Sequence, residues 1–174
     1  MTTISTLVPQ MVEAHIPQLL RAYRQIYGLP LDAGSGFAPM LTEHAQRVGF
    51  RLCVAYGAQG GLVGFGYGFV GQPGQAWRDS LAAALGPTAT AYWLSNYFEF
   101  AEFGVIPEAR RRGVAGRLYD ALFSALPFPR GVLTVRESNL PARRFYESRG
   151  WQPLHQDFYA PSGRGPYIIM GREQ

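Results

Sequence analysis

The chain has 174 residues, 47% of them apolar and 16% charged, and carries a formal net charge of +4. That length suits one domain with a core large enough to need no metal or disulfide staple, and the composition excludes a disordered chain. All 16 basic residues are arginine, and their excess over the 12 acids points to an anionic partner. Charge alone leaves nucleic acid, a membrane surface and a phosphorylated cofactor open. The lone cysteine, Cys53, excludes an internal disulfide. It lies in the apolar run Leu52-Cys53-Val54-Ala55 and reads as a buried structural thiol, which fits a reducing cytoplasm. The opening Met1-Thr2-Thr3-Ile4 lacks a basic region followed by an apolar stretch, and no window is apolar enough for a membrane span. The expectation is a cytoplasmic chain with no membrane contact.

In chain order, residues 2–7 read as a strand and 9–26 as a helix, with Met11, Ile16, Leu19, Leu20, Tyr23 and Ile26 at roughly helical spacing. Gly28-Leu29-Pro30 stops that helix, and a second is expected through 38–48 after a flexible loop. Arg51–Tyr56 and Leu62–Val70 read as a hairpin around Gly57–Gly61. Residues 71–96 are less regular, with a helix over Ala76–Leu85 broken by Gly86-Pro87. An aromatic strand follows over 97–106, then a helix whose apolar face is Val114, Leu118, Ala121, Leu122 and Ala125. Gly131–Val135 is a short buried strand, Ala142–Arg149 a helix closed by Gly150, and 151–158 and 166–171 are two last strands. The order implies an α/β chain with a mixed central sheet of six to seven strands flanked by helices.

The segment Val105-Ile106-Pro107-Glu108-Ala109-Arg110-Arg111-Arg112-Gly113-Val114-Ala115-Gly116 runs from a strand end through a basic loop into a helix. The first turn of a helix has unpaired backbone N–H groups and a partial positive charge. Small residues let an anion approach that backbone, and arginines add charge, so the segment suits a pyrophosphate. The nucleotide P-loop is excluded because no lysine follows the last glycine, and the dinucleotide fingerprint by the glycine spacing. A solvated basic loop capping a surface helix is the alternative. Downstream, Asn139-Leu140-Pro141-Ala142-Arg143-Arg144-Phe145-Tyr146 leads through a helix to Gly150-Trp151. Asn139 suits a helix cap before Pro141, Phe145 suits the core, and Tyr146 suits a half-buried packing position.

These two segments together resemble the GNAT superfamily of N-acyltransferases. Arg110-x-x-Gly113-x-Ala115 after Val105-x-Pro107 is similar to one hallmark of that family, and Asn139-x-x-Ala142-x-x-Phe145-Tyr146 to the other. The resemblance implies a GNAT domain over 1–174 that takes acetyl-CoA as cosubstrate and passes the acetyl group directly to a primary amine of a small molecule or peptide. It implies that backbone amides of Arg111, Arg112, Gly113, Val114, Ala115 and Gly116 hold the CoA pyrophosphate with Arg110 beside them. It further implies that Asn139 contacts CoA, that amides at Phe103 or Val105 polarise the thioester carbonyl, and that the Tyr146 hydroxyl protonates the departing thiolate. A phenol suits that task, since a free thiol has a pKa of about 8.5.

An alkylammonium has a pKa of about 10 and must lose a proton before it attacks. Glu99 and Glu102 on the aromatic strand are the candidates for that base. An unbroken strand would point them to opposite faces, and the family commonly bulges there. By resemblance Glu99 matches the base of histone-acetylating members and Glu102 an acidic residue of small-molecule members. Pairing with an arginine is the structural alternative, expected of at least one. His15, His44 and His155 show no metal spacing and read as surface residues, so no metal is expected. Gly64, Gly66 and Gly68 share one face of a strand and leave room either for a ligand or for neighbouring aromatics.

Residues 71–96 exceed the family's minimal connection, and with loop 28–37 they are expected to wall the acceptor site. An acidic cleft there favours cationic amines over acceptors with an added carboxylate. Two other readings stand beside catalysis: a non-catalytic acyl-CoA-binding regulatory module, and a nucleic-acid-binding domain built on Arg110-Arg111-Arg112. The second is disfavoured because the aromatics do not interleave with a basic stripe. Self-association as a homodimer stays open.

Overall fold

The computed structural model describes residues 2–174. Seven strands form one mixed sheet in the order β1-β2-β3-β4-β5-β7-β6, as the α/β reading required. The described residues fall into two compact units, one up to Phe69 with Ala101–Leu126, and the other Val70–Phe100 with Pro127–Gln174.

The first unit opens with β1 (Thr3–Leu7), paired antiparallel with β2 (Arg51–Tyr56), which pairs antiparallel with β3 (Leu62–Val70). A 3-10 turn at Pro9–Met11 leads into α1 (Val12–Tyr27). Met11, expected on the apolar face, lies in that turn at 42% exposure and Val12 is buried in its place, while Leu19, Leu20, Tyr23 and Ile26 pack on the core as expected. α1 ends on Gly28 in the left-handed conformation with φ 64°, which glycine adopts without a Cβ penalty. α2 (Phe37–His44) stops earlier than expected, giving way to turns over 45–49. Leu19, Leu41, Leu52, Val54 and Phe65 belong to the core of this unit, each burial stabilising by about 1.5–3 kcal/mol. The last residues of β4 (Tyr97–Val105) and α4 (Val114–Phe123) complete it. α4 is shorter than its apolar pattern suggests: the chain is extended at Ser124, and Ala125 turns left-handed with φ 52°.

Two glycines of β3, Gly64 and Gly66, are explained by β4. A Cβ at Gly66 would stand 2.6 Å from the Phe103 ring, and one at Gly64 would stand 2.9 Å from the Gly104 carbonyl oxygen. Of the two uses expected for these glycines, admitting a neighbouring aromatic is the one observed at Gly66.

The second unit contains α3 (Ala76–Trp93), the start of β4, β5 (Arg130–Arg136), α5 (Leu140–Glu147), β6 (Gln152–Phe158) and β7 (Tyr167–Glu173). Tyr97, Phe98 and Glu99 pair in parallel with Arg130, Gly131 and Val132, and β7 pairs antiparallel with both β5 and β6. Gly86 breaks α3 as expected, with φ 76° and ψ 172°, but helix resumes at once. Pro87 opens the new turn, a position where its missing N–H costs nothing. The resumed helix delivers Trp93 onto Gly171, where an added Cβ would stand 2.7 Å from the indole. Tyr92 beside it stacks under the Arg130 guanidinium at 3.9 Å and donates its hydroxyl to Glu173.

Candidate active site

The basic loop lies in the first unit. β4 ends at Val105, Pro107–Ala109 make one 3-10 turn, and α4 starts at Val114. Two residues between them bend left-handed, Arg111 with φ 58° and Gly113 with φ 73°. Gly113 is the N-cap of α4, no side chain caps that end, and a Cβ built on it would meet nothing within 4 Å. The first turn of α4 thus has no side-chain cap, and the surface beside Gly113 is open, both of which an anion site requires. Arg111, Arg112 and Gly113 are exposed, Ala115 and Gly116 are partly exposed, and Val114 is buried as the anchor of the helix. Arg110 is used differently. Its Nε donates to the Val105 carbonyl at 3.0 Å and its Nη2 to the Ile26 carbonyl at 3.1 Å. Exposed like its neighbours, it nonetheless braces the strand end and the end of α1.

Glu102 and Phe103, half-exposed on β4, belong to the same unit. The Tyr27 hydroxyl, from the last residue of α1, donates to Glu102 Oε2 at 2.7 Å. Arg24 Nε, one turn earlier, donates to the Ala33 carbonyl at 2.8 Å and holds the 28–37 loop.

Glu99, Asn139 and Tyr146 lie in the second unit. Asn139 caps α5, its Oδ1 accepting from the Ala142 N–H at 3.3 Å, with Pro141 inside the first turn. α5 carries Tyr146 to a buried position, more enclosed than expected, at 8% exposure. Its ring meets Phe100 edge-on at 6.0 Å and Trp151 at 6.1 Å. Phe145, expected in the core, is only half-buried, with the Arg149 guanidinium 3.8 Å above its ring. That cation shields the exposed face of the ring.

Glu99 is the buried charged residue among the described residues, at 4% exposure, and accepts a hydrogen bond from the Tyr97 hydroxyl at 2.8 Å. Both glutamates thus receive a tyrosine hydroxyl, a partner that their spacing does not announce.

Two residues outside the motifs behave as their burial dictates. His44, expected at the surface, sits half-buried, its Nδ1 3.1 Å from the Tyr67 hydroxyl and its ring 4.6 Å from that of Phe69. Burial, helped by the nearby Arg47 charge, lowers its pKa to about 4. Cys53 is fully buried, and desolvation raises its thiol pKa. Among the described residues no group of His, Cys, Asp and Glu side chains gathers in metal-binding geometry, and no helix is long and apolar enough to cross a membrane.

The 71–96 connection borders an open cavity of about 520 Å³, lined by residues that include Gly71, Gln72, Arg78, Thr90, Ser95 and Asn96. Arg78 contributes a side chain paired with Asp79 at 3.3 Å.

Comparison with known proteins bears on the fold and the family. A GCN5-like protein acetyltransferase of Mycobacterium tuberculosis is 23% identical, the match covering 95% of each chain. Among solved structures, the ribosomal-protein-S18-alanine N-acetyltransferase from Escherichia coli superposes with a TM-score of 0.68 at 19% identity, covering 99% of this chain and 94% of that one. The PaiA N-acetyltransferase from Thermoplasma acidophilum, solved in complex with coenzyme A, gives a TM-score of 0.59 at 14% identity and covers 100% of this chain and 99% of that one. These structures share the fold. The sequence itself matches the acetyltransferase (GNAT) family over residues 18–151, a span that contains both motifs, and the chain belongs to that family.

Proposed function

We propose that residues 1–174 work as one acetyltransferase domain that moves the acetyl group of acetyl-CoA directly to a primary amine of a small molecule or peptide. The observation that carries this reading is the start of α4, where left-handed Gly113 leaves uncapped N–H groups beside open space and exposed arginines. An anion of the size and charge of the CoA pyrophosphate suits that geometry. A relative of the same fold has been solved with coenzyme A, and the Escherichia coli relative is named for an alanine acceptor, which supports an amine substrate.

In this reading the amides of Arg111 through Gly116 bind the pyrophosphate, Asn139 contacts CoA while capping α5, and amides at Phe103 or Val105 polarise the thioester carbonyl. The amine nitrogen attacks the carbonyl carbon, the C–N bond forms and the C–S bond breaks. Tyr146 gives its proton to the thiolate, and a carboxylate takes the proton of the amine. Glu99 is the better base of the two candidates. Burying a carboxylate is costly unless a function or partner retains it, and of the acids described this one alone is buried. Glu102, half-exposed and held by Tyr27, is assigned to the acceptor side, with loop 28–37 of the same unit as a candidate acceptor wall.

The test is direct. Acetyl-CoA should raise the melting temperature, because a ligand that binds only the folded state adds stability by mass action. Purified protein should release free CoA thiol when primary amines are added. Stabilisation without release under any amine would support an acyl-CoA-binding module, and no stabilisation would overturn the reading.

A further inference from the structure

Tyr97 is fully buried, and its hydroxyl donates to the Glu99 carboxylate at 2.8 Å. Two residues apart on one strand, the phenol and the carboxylate project from the same face. The hydroxyl reaches that position only because residue 71 has no side chain: a Cβ at Gly71 would collide with the Tyr97 hydroxyl and the ring carbon that bears it. Gly71 is itself buried, with no positive φ that would demand glycine for the backbone. Its missing side chain is therefore explained by the phenol. Gly71 also lines the cavity of the 71–96 connection, so the wall of that cavity, the phenol and the carboxylate stand in sequence.

We propose that Tyr97, admitted by Gly71, is the positioning residue for the proton-accepting carboxylate of Glu99. The inference rests on the acetyltransferase reading above. A hydroxyl donating to the Glu99 carboxylate limits the rotation of the group, and so the directions from which it can take the amine proton. Tyr97 touches neither amine nor thioester in this scheme and acts through Glu99 alone.

The experiment compares wild type, Tyr97→Phe and Gly71→Ala as full-length chains, by thiol release from acetyl-CoA. The acceptors are a panel of alkylamines and trifluoroethylamine, whose ammonium is acidic enough to be largely neutral at assay pH. For the alkylamines, Tyr97→Phe should lower kcat by about tenfold or more, with KM for acetyl-CoA unchanged. For trifluoroethylamine the deficit should shrink, because this amine arrives without the ammonium proton that Glu99 removes before attack, and the N–H proton lost after the C–N bond forms is acidic enough to leave to water. Gly71→Ala should reproduce both results by displacing the phenol, and a crystal structure of Tyr97→Phe should show the Glu99 carboxylate turned from its wild-type direction.

A purely structural Tyr97 would lower turnover of every amine equally. Equal losses across the panel, or wild-type turnover in Tyr97→Phe, would overturn the proposal. If Gly71→Ala misfolds, Tyr97→Phe decides alone, since it removes a single oxygen atom and keeps the ring. If acetyl-CoA neither stabilises wild type nor yields thiol with any primary amine, small or peptidic, the acetyltransferase reading falls and the role of Tyr97 with it. Wild-type turnover with an unaffected Tyr97→Phe removes this proposal alone.

Discussion

Arg110 is joined to Ile26 by a 3.1 Å hydrogen bond from the guanidinium to a carbonyl one residue before the end of α1. Its Nε meanwhile holds the Val105 carbonyl at the end of β4. The first residue of the basic motif is therefore a brace between the loop and the helix. Arg110→Ala should cost about 1–2 kcal/mol in urea unfolding, the net worth of two charge-assisted hydrogen bonds, one part-buried and one exposed. Arg110→Lys separates bracing from charge. It should lose acetyl-CoA affinity nearly as Ala does, since one ammonium cannot reproduce the guanidinium fork. Full affinity in the Lys variant, measured by calorimetry, would instead make the charge decisive.

Gly113 is expected to be the most sensitive position of the loop. Left-handed backbone costs a non-glycine residue about 1–2 kcal/mol, and no neighbour stands within 4 Å to add a clash. Gly113→Ala should therefore stay folded with a modest loss of stability. Gly113→Asp should stay folded too, yet lose the melting-temperature rise given by acetyl-CoA. An undiminished rise in the Asp variant would remove the loop from the CoA site.

Tyr146→Phe keeps the buried ring and its edge-on contact with Phe100. If its hydroxyl protonates the thiolate, turnover should fall about a hundredfold or more while CoA affinity holds. Steady-state kinetics with calorimetry separates the two, and wild-type turnover would leave Tyr146 as a packing residue.

His44 sets an acid limit on stability. Its folded pKa of about 4 lies below the ordinary 6.5, so between those values the unfolded chain binds the extra proton. Stability from this group is complete above about pH 6.5 and declines as the pH falls towards 4. After discounting for its partial exposure, the loss is about 1–2 kcal/mol. The groups around it are the Tyr67 hydroxyl, Arg47 and Glu43. Urea midpoints of His44→Gln should fall less than those of wild type across that range, and parallel curves would sink the assignment.

Trp93 pins the resumed half of α3 on Gly171, where the glycine leaves the indole its place. Gly171→Ala should destabilise by about 1–3 kcal/mol through overpacking, and Trp93→Ala by about 3–5 kcal/mol through the lost burial. Circular dichroism melts read both. Small effects would mean that the connection is only loosely attached.

What the sequence disclosed follows the range of each force. β2 and β3 lie where alternation and the glycine turn put them, because a hairpin is specified by neighbours in the chain. The two motifs were legible for the same reason, being strand–loop–helix units with their punctuation inside them. Gly86-Pro87 misled only in part: the glycine stops one helix, and the proline is as good a start for the next as a stop for the last. The burial of His44 was not legible, since Tyr67 and Phe69 reach it from β3. The Tyr27–Glu102 bond spans 75 residues and leaves no periodic trace. Tyr97 and Glu99 could be read as sharing a face, but the space that lets them meet is made by a glycine on another segment.

Cys53 turns the chain into its own clock of opening. Its thiol is fully enclosed on β2, 3.5 Å from the Thr6 hydroxyl of the edge strand beside it, and burial raises its pKa. A thiol reagent can reach it only when β1 lifts or the unit unfolds, and no second cysteine competes for the label. The rate of labelling therefore counts those openings one molecule at a time. The same enclosure keeps the protein silent in any assay that colours free thiols, so the colour produced under native conditions belongs to released product.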